Sequence, residues 1–520
     1  MPLGLMGQCV GEGHAHGAIL APNQQIDVGN LVAVAAERLA NEHRHHNLLV
    51  RGKGFSHSKG PGTLKGGLAA LGVGPPPSGR LHLPENRENT IYPPASKRRQ
   101  SHLGPVGNSS GNPPMPASGA LSQTTTTTEL LVVGASVRAW AGSAHRAGLN
   151  VHAVDLFADR DLSAVAQAIP VDGADYPAGL VAAAARLPAA PWCYTGALEN
   201  HPDLLAVMAS QRRLAGNPAA AVRRVRDPHL LAGALADAGI SFPETHTTPQ
   251  GVLTDGSHLH KPLASAAGRA IVIWTAARAR RWQTRQDNRR SVWQRRVAGR
   301  AVSAAFVIGA DGAGLVGTSK QLIGRRRWHA RPYAYCGSID VPLKSLPEGI
   351  HRQWMQIGRV LAADFALCGA VGVDAIATAD GRLVVVEVNP RPTASMELFE
   401  RSTGRLLAAE HLAACGIACG RPPATGSHSG DLWVKGVLRV GPALQITAEI
   451  TERLDELVAR WSSGSWPGLA DLPRTGSTVP AGGALLTVFA TAGSPAAALK
   501  LLGERIGGVE HLLRRGSAER

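Results

Sequence analysis

Several features that would identify a class of protein at once are missing from this sequence. Aromatic residues make up only 4% of the 520 residues, and the six cysteines are widely spaced except for Cys415 and Cys419. Because no second ligand pair accompanies those two, we expect free thiols rather than disulfides or a zinc site. The sequence also has no long uninterrupted apolar run and no leader with a basic start and an apolar centre. We therefore expect a cytoplasmic protein with no membrane partner.

Acidic residues are scarce, and the formal net charge is +16. Such a charge is typical of proteins with polyanionic partners, but arginine is spread along the chain and no lysine-rich run occurs. Only the segment from Arg278 to Arg296, with Trp282 and Trp293, combines basic residues with interleaved aromatics. A bias in composition explains the charge better than a nucleic-acid partner, which is the weakest functional alternative.

Residues 1–128 show no sustained hydrophobic periodicity and contain proline-rich, basic and threonine-rich stretches. We predict a disordered, low-complexity extension with one short helix between Val28 and Glu42. The histidines at positions 14, 16, 43, 45 and 46 have no framework that would make them a metal site. Alternatively, the segment is an overextended translation start and Met115 is the true one.

A Rossmann-like unit is predicted to begin at Glu129. The apolar strand from Leu130 runs into a glycine-containing turn and a helix, and a second strand, Asn150 to Val154, ends at Asp155. The full G-x-G-x-x-G pattern is absent. We therefore expect the loop with Ser136 and Arg138 to contact a ligand rather than to hold a dinucleotide.

The most informative stretch runs from Gly372 to Arg391. Its Asp380-Gly381 pair predicts a two-residue hairpin turn, and counting back from that turn places Asp374 opposite Glu387, with Asn389 on the same face. Opposed like charges destabilise a strand pair, and the flanking valines indicate a buried strand. A cation would compensate, and this set of oxygen ligands suits Mg²⁺ or Mn²⁺. A hairpin with a solvated acidic face is the alternative.

A second candidate feature is Lys261, which ends a predicted strand just before the small-residue loop Ser265–Gly268. One lysine with nearby backbone donors is a common way to bind phosphates. A lysine whose stem packs on apolar surface would produce the same pattern, so both interpretations remain open.

The order of these motifs resembles the ATP-grasp superfamily, and most closely its ATP-dependent carboligases related to biotin carboxylase. The resemblance extends from Leu130 to about Ala490, and its most specific motif is Glu387-Val-Asn-Pro-Arg391 with an aspartate thirteen residues ahead. The other supporting segments are Gly134–Arg138, Asp155–Phe157, Gly196–Asn200, Arg226-Asp227, Lys261-Pro262 and Gly337-Ser338.

The resemblance implies an α/β chain with an ATP-grasp fold. Its expected parts are the disordered extension 1–128, a Rossmann-like domain 129–225, a two-lobed ATP-grasp domain 226–425 and a small β-rich unit with a final helix at 426–520. It also implies ATP with Mg²⁺ or Mn²⁺, small-molecule carboxylate and nucleophile substrates, and a homodimer as one arrangement.

The resemblance further implies roles for single residues. Asp374, Glu387 and Asn389 would hold the metal, Arg391 would contact phosphate or an acyl phosphate, and Lys261 would contact the α- and β-phosphates. The phosphate lid would be Ser265 to Gly268, and Gln294, Arg295 and Val297 would line the adenine pocket through backbone groups. Three departures stand out: Pro228 occupies the place of a second nucleotide lysine, which leaves Arg226 or His229 to substitute; Ala266 and Ala267 make the usually glycine-rich lid stiffer; and Gln294 replaces a glutamate.

We therefore expect a ligase that phosphorylates a carboxylate and passes the acyl group to an amine or a thiol. The departures leave open a nucleotide-binding regulatory or scaffold protein with a weakened site. Because Asp374, Glu387, Asn389 and Arg391 are all present, the ligase is favoured.

Overall fold

The computed structural model describes residues 125–285, 290–419, 432–464 and 466–518. Residues 1–124 of the predicted extension, with its helix from Val28 to Glu42, its histidines and Met115, lie outside the described residues. Thr125–Thr127, at the end of the predicted extension, form a strand (β1). The parallel partner of β1 is Ile417–Cys419 (β15), too distant in sequence for a local pattern to reveal the pairing.

The Rossmann-like unit is confirmed as a parallel four-stranded sheet. Its strands are β2 (Glu129–Val133), β3 (Asn150–Asp155), β4 (Gln167–Pro170) and β5 (Trp192–Tyr194), in the order β4-β3-β2-β5. Its helices are α1 (Arg138–Arg146), α2 (Arg160–Ser163), α3 (Ala178–Ala184) and α4 (Pro202–Gln211). At the end of β2, a Cβ on Gly134 would lie 2.2 Å from Thr195 Oγ1, so glycine lets the two loops meet.

Two short helices and a small antiparallel sheet follow. The helices are α5 (Ala219–Val225) and α6 (Pro228–Asp237), and the sheet contains β6 (Thr245–His246), β7 (Asp255–Pro262), β8 (Val272–Thr275) and β9 (Ser291–Arg295) in the order β6-β9-β7-β8, with α7 (Ala276–Arg285) beside it. Asp227 caps α6 by accepting hydrogen bonds from the backbone N–H groups of His229 and Leu230, and Pro228 is the first helical residue. The start of this helix thus gives Pro228 a structural role.

An eight-stranded antiparallel sheet, here called the large sheet, runs through the rest of the chain in the order β14-β13-β10-β11-β12-β16-β20-β18. Its strands are β10 (Arg300–Gly309), β11 (Gly312–Ile323), β12 (Tyr335–Val341), β13 (Gly369–Ala377), β14 (Leu383–Asn389), β16 (Leu432–Arg439), β18 (Leu469–Ala470) and β20 (Ala484–Ala492). The accompanying helices are α8 (Glu348–Ala363), α9 (Met396–Thr403) and α10 (Leu407–Ala414).

The C-terminal residues add α11 (Ala448–Trp461), α12 (Pro495–Ala518) and the strand pair β17 (Leu444–Gln445) with β19 (Thr478–Val479). The sequence predicted a single final helix in this unit, and α11 was missed. Thr447 caps α11, but the helix fully buries only Ile450 and Leu454, so its apolar stripe is short and its sequence signal weak.

Apolar side chains fix the large sheet between helices. Trp354 and Ile357 of α8 pack in one core with Phe306 and Val373 of the sheet. A second core joins α12 to β16 and β20. Because these side chains are almost fully buried, the strands that carry the polar residues described below are held firmly in place.

The described cysteines are all free, and Cys415 Sγ lies 3.8 Å from Cys368 Sγ rather than beside Cys419. Within the described ranges, no helix combines the length and apolar character needed to cross a bilayer.

Candidate active site

A cavity of about 790 Å³ is lined by the loops after β2 and β5, by the small sheet and by the β13-β14 hairpin. The structure brings to this one cavity the residues that the sequence pointed to for the nucleotide and its metal, except His229, which does not line it. They are Arg226, Lys261, Ser265, Gly268, Gln294, Arg295, Val297, Asp374, Glu387, Asn389 and Arg391. Ser136 and Arg138 also line it.

The hairpin pairs Asp374 with Glu387, as the sequence predicts. The turn itself differs from the prediction: Thr378 and Arg382 close a three-residue loop, and Gly381 adopts φ +80° there. The longer loop shifts the register by one residue as far as Ala375, and a β-bulge between Asp374 and Ala375 shifts it back. The two offsets cancel, so the acidic pair is still formed.

Each carboxylate oxygen of Asp374 accepts a hydrogen bond from a neutral side-chain amide. Its Oδ1 accepts a hydrogen bond from Gln321 Nε2 at 2.7 Å, and its Oδ2 accepts one from Asn389 Nδ2 at 3.2 Å. Burial and the nearby charge of Glu387 raise the pKa of Asp374 to about 7. The acidic pair is therefore short of positive charge, as a cation-binding site requires.

Asn389 and Arg391 are linked to each other. The amide oxygen of Asn389 accepts a hydrogen bond from Arg391 at 3.2 Å, so the amide nitrogen, and not the predicted oxygen, faces Asp374. Arg391 also donates to Glu199 Oε1 at 2.7 Å, while its Nε is buried with no partner among the described residues. Burial raises the pKa of Glu199, but Arg391 and Arg226 outweigh it, and the net pKa is lowered. Glu199 is thus an ionised anchor for Arg391.

Lys261 Nζ donates to Gln294 Oε1 at 3.0 Å and to the Val386 carbonyl at 3.4 Å. Burial lowers the pKa of Lys261, although Glu387 and Asp374 oppose that effect. Gln294 in turn donates to Thr245 Oγ1 at 3.2 Å. Lys261 is therefore a cation beside the acidic pair, and the neutral side chain of Gln294 orients its ammonium group.

Only some backbone groups of the predicted adenine-binding residues, Gln294, Arg295 and Val297, are free to bind a ligand. The Arg295 N–H already donates to the Glu244 carbonyl at 2.8 Å, and Gln294 pairs with strands on both sides. Val297 follows the strand, and no backbone hydrogen bond involves it within the described part of the chain. Of the three residues, Val297 is thus the one that lines the cavity with no backbone hydrogen bond among the described residues.

Hydrogen bonds from Asn200 and Tyr335 fix the loop from Ser265 to Gly268 at the cavity. Asn200 Nδ2 donates to the Ser265 carbonyl at 3.3 Å, and Tyr335 N–H donates to the Ala267 carbonyl at 3.1 Å. Gly268 has φ +72°, and a Cβ on it would lie 1.8 Å from the Tyr333 carbonyl oxygen. Arg226 lies beside this loop, donates to the Leu263 carbonyl and keeps Nη1 without a hydrogen-bond partner in the described ranges.

The far end of the cavity contains an ionic network that the sequence did not reveal. Arg138 donates to both carboxylate oxygens of Glu397, at 2.5 and 3.0 Å, and to Asp471 at 2.8 Å. Lys435 Nζ lies 3.3 Å from the same glutamate, and Arg401 lies equally close. Arg138 thus contacts protein carboxylates, and only long-range contact information would have indicated this.

Four aspartates lie close to Arg138 or to one another and are here called the acidic wall: Asp155, Asp159, Asp161 and Asp471. Backbone N–H groups satisfy Asp155 and Asp161, and Arg138 with Thr487 satisfies Asp471. Asp159 is 7% exposed and lines the cavity, and no described group donates a hydrogen bond to its carboxylate. Burial and the other aspartates raise its pKa to about 9. The free carboxyl of Asp159 is therefore protonated at neutral pH.

The aromatic residues considered for nucleic-acid binding pack on each other. Trp293 is 2% exposed and meets the Trp282 ring edge-on at a centroid distance of 5.5 Å. A buried ring cannot stack on a base, so Trp293 does not offer the stacking platform that such binding requires.

Comparison with known proteins agrees with the fold. A family model described as an ATP-grasp domain matches residues 225–395. An N5-carboxyaminoimidazole ribonucleotide synthetase solved with ADP is 16% identical, with 76% of this chain and 99% of that chain covered and a TM-score of 0.56. The Aspergillus clavatus carboxyaminoimidazole ribonucleotide synthase solved with ATP is 15% identical, with 75% and 99% covered and a TM-score of 0.55. Biotin carboxylase from Campylobacter jejuni is 14% identical, with 72% and 89% covered and a TM-score of 0.52.

No curated protein matches the sequence significantly. Residues 225–395 nevertheless form an ATP-grasp domain, and the chain shares its fold with these solved structures.

Proposed function

We propose that the protein is an ATP- and Mg²⁺-dependent ligase that activates a carboxylate as an acyl phosphate and transfers the acyl group to an amine. The observation that carries the proposal is the opposed pair of Asp374 and Glu387 in a cavity that also contains Lys261 and Arg391. Proteins of the same fold have been solved with ADP and with ATP, which supports ATP as the nucleotide.

The side chains fit a divalent cation. Burial and the neighbouring glutamate favour the protonated form of Asp374, and a cation would take the place of that proton. Asn389 would complete the set after a half-turn of its amide, which brings the oxygen towards the carboxylates. When bound there by Asp374, Glu387 and Asn389, Mg²⁺ would neutralise charge on the β- and γ-phosphate oxygens.

The first chemical step is phosphoryl transfer. A carboxylate oxygen of the substrate attacks the γ-phosphorus while the bond from that phosphorus to the bridging oxygen of ADP breaks. Lys261 lies beside the acidic pair and would place its positive charge on the phosphates. Arg391 has a buried, unpaired Nε and would donate it to the acyl phosphate.

In the second step an amine nitrogen attacks the acyl carbon, and the C–O bond to phosphate breaks to release inorganic phosphate. An amine arrives as an ammonium ion and has to lose protons to form an amide. Burial and its acidic neighbours raise the pKa of Asp159 to about 9, so the free carboxyl is protonated at neutral pH; a bound ammonium group would favour its ionised form, which would then accept one proton, and the departing phosphate would take the other. The products are the amide, ADP and phosphate.

The acidic wall favours an amine over a thiol as acceptor. No backbone N–H of the helix that follows Asp159 caps its side chain, and an ammonium group would supply both hydrogen-bond donors and the positive charge that favours the ionised carboxylate. A thiol carries no positive charge and would leave the carboxyl in its protonated form.

The direct test measures acyl-phosphate formation without knowledge of the acceptor. The purified protein is incubated with Mg-ATP, hydroxylamine and a panel of carboxylic acids, and hydroxamate and phosphate are quantified. We expect one class of acid to yield both products in equal amounts. ATP binding without hydroxamate from any acid would instead support a scaffold protein.

Asp159→Asn tests the amine class separately. Once an acid has been identified, we expect the KM for amine acceptors to rise at least tenfold, whereas trapping with neutral hydroxylamine stays near the wild-type rate. The control is Asp175→Asn, an exposed aspartate of the same subdomain. If both nucleophiles are affected equally, Asp159 has a structural role.

A further inference from the structure

The small sheet carries a second cluster of metal-ligand side chains on its face away from the cavity. Glu244, His246 and His258 each offer a ligand atom, and these atoms lie within 4.8 Å of one another. Strand alternation explains the placement: Thr245 and Leu259, each next to a member of the cluster, line the cavity on the opposite face.

His258 is set up as a ligand. The residue is 3% exposed, and its Nε2 is buried with no hydrogen-bond partner within the described part of the chain. Its Nδ1 lies 2.9 Å from Ser257 Oγ. An unpaired buried nitrogen costs free energy. A hydrogen bond to one ring nitrogen is also the usual way in which a protein orients an imidazole that binds metal through the other.

His246 and Glu244 are more accessible and already lie together. His246 Nε2 is 3.0 Å from Glu244 Oε1, and the rings of His246 and His258 have centroids 5.9 Å apart at an angle of 60°. The rings are thus not stacked. Arg295 lies 3.5 Å from the other carboxylate oxygen, but its side chain is 59% exposed and can turn into solvent.

We propose that Glu244, His246 and His258 bind one Zn²⁺ ion, with water in a fourth position. Two imidazole nitrogens and one carboxylate form a common ligand set for Zn²⁺. Mg²⁺ and Ca²⁺ prefer oxygen ligands throughout, so this site would not compete for the metal of the nucleotide.

The proposed ion would stabilise the sheet that holds the nucleotide lysine. β6 contains only two residues and pairs with β9 alone, so few backbone bonds hold it. The ion would join β6 to His258 of β7 across β9. Thr245 of β6 bonds Gln294, and Gln294 bonds Lys261, so fixing β6 also fixes the partner of Lys261.

The test is Zn²⁺ binding by the full-length protein, measured by equilibrium dialysis and metal analysis. We expect His246→Ala, His258→Ala and Glu244→Gln each to lose one equivalent of tightly bound Zn²⁺ relative to wild type. The control is His351→Ala, an exposed histidine on α8, which should bind as wild type does. Histidines elsewhere in the chain contribute equally to every variant.

Ser257→Ala provides a graded result, because loss of an orienting partner weakens metal affinity by about tenfold or more. Removal of the buried His258 could unfold the sheet, so the decisive variants are those of the accessible His246 and Glu244, with folding checked by circular dichroism. If both keep the wild-type stoichiometry and affinity, the proposal is overturned. That outcome would leave the proposed ligase function untouched, since the two sites share no ligand.

Discussion

Replacing Glu387 with glutamine separates a metal-binding acidic pair from a structural one. Burial and Glu387 raise the pKa of Asp374 from 3.8 to about 7. As pH rises through this interval, the unfolded chain ionises Asp374 before the folded chain does, so the free energy of unfolding falls. Above pH 7 the loss reaches about 4 kcal/mol if the whole shift is counted.

Only part of this loss is due to Glu387, since burial is the larger cause. Two charges about 5 Å apart repel by about 1 kcal/mol in water and about 3 kcal/mol at an effective dielectric constant of 20. Both side chains are partly open to solvent, and Glu387 also attracts Lys261, so the lower value applies. We expect Glu387→Gln without ligand to be more stable than wild type by about 1 kcal/mol at pH 8. At pH 5 we expect little change, because Asp374 is already protonated there.

The assay is urea unfolding at the two pH values, followed by thermal melts with Mg-ATP. Because the variant has lost a carboxylate ligand, we expect the ligand-induced rise in melting temperature to disappear. Asp311→Asn removes an acid from an exposed turn and should change neither result. A variant that is less stable at pH 8 and still gains the full wild-type shift with Mg-ATP would refute the metal-site assignment.

Three further outcomes follow from the same geometry. Lys261→Ala should weaken Mg-ATP binding by about ten- to a hundredfold in calorimetry, since charge-assisted hydrogen bonds contribute roughly 1.5–3 kcal/mol, whereas the exposed Lys320→Ala should not. A chain that starts at Met115 should bind ATP like the full-length protein, because it retains every described residue; a weaker affinity would give the extension a role. Gly268→Ala should lower ATP affinity because the loop can no longer approach Tyr333, whereas Gly233→Ala on the open surface of α6 should raise the melting temperature. If the two variants bind ATP with the same affinity, the loop has no special role.

The acidic pair could be predicted from the sequence because it depends on one short hairpin. The loop length could not, since Asp380-Gly381 suits both a two-residue turn and the three-residue loop that forms. The prediction of Asp374 opposite Glu387 succeeded because the bulge restored the register that the longer loop had shifted. A bulge depends on what the sheet packs against, and local sequence carries little information about that.

The partners of the site residues were beyond the reach of sequence reasoning. Gln321 reaches Asp374 from a different strand, and Glu199 reaches Arg391 from the Rossmann-like unit. Arg138 meets Asp471 across 333 positions of chain. Hydrophobic periodicity reports which face of an element is buried, and it contains nothing about which distant polar group will lie opposite.

The continuity of the large sheet determines which part of the molecule can respond to a nucleotide. Asp374 and Glu387 lie near one edge of this sheet, and Lys435 lies on β16 within it, so a single hydrogen-bonded frame holds the proposed metal ligands and Lys435 at a constant spacing. Lys261, Gln294 and the Ser265–Gly268 loop belong to the separate small sheet. Any closure over ATP should therefore be a movement of the small sheet towards an unchanging surface, on which the spacing between the proposed metal ligands and Lys435 is set before either substrate arrives.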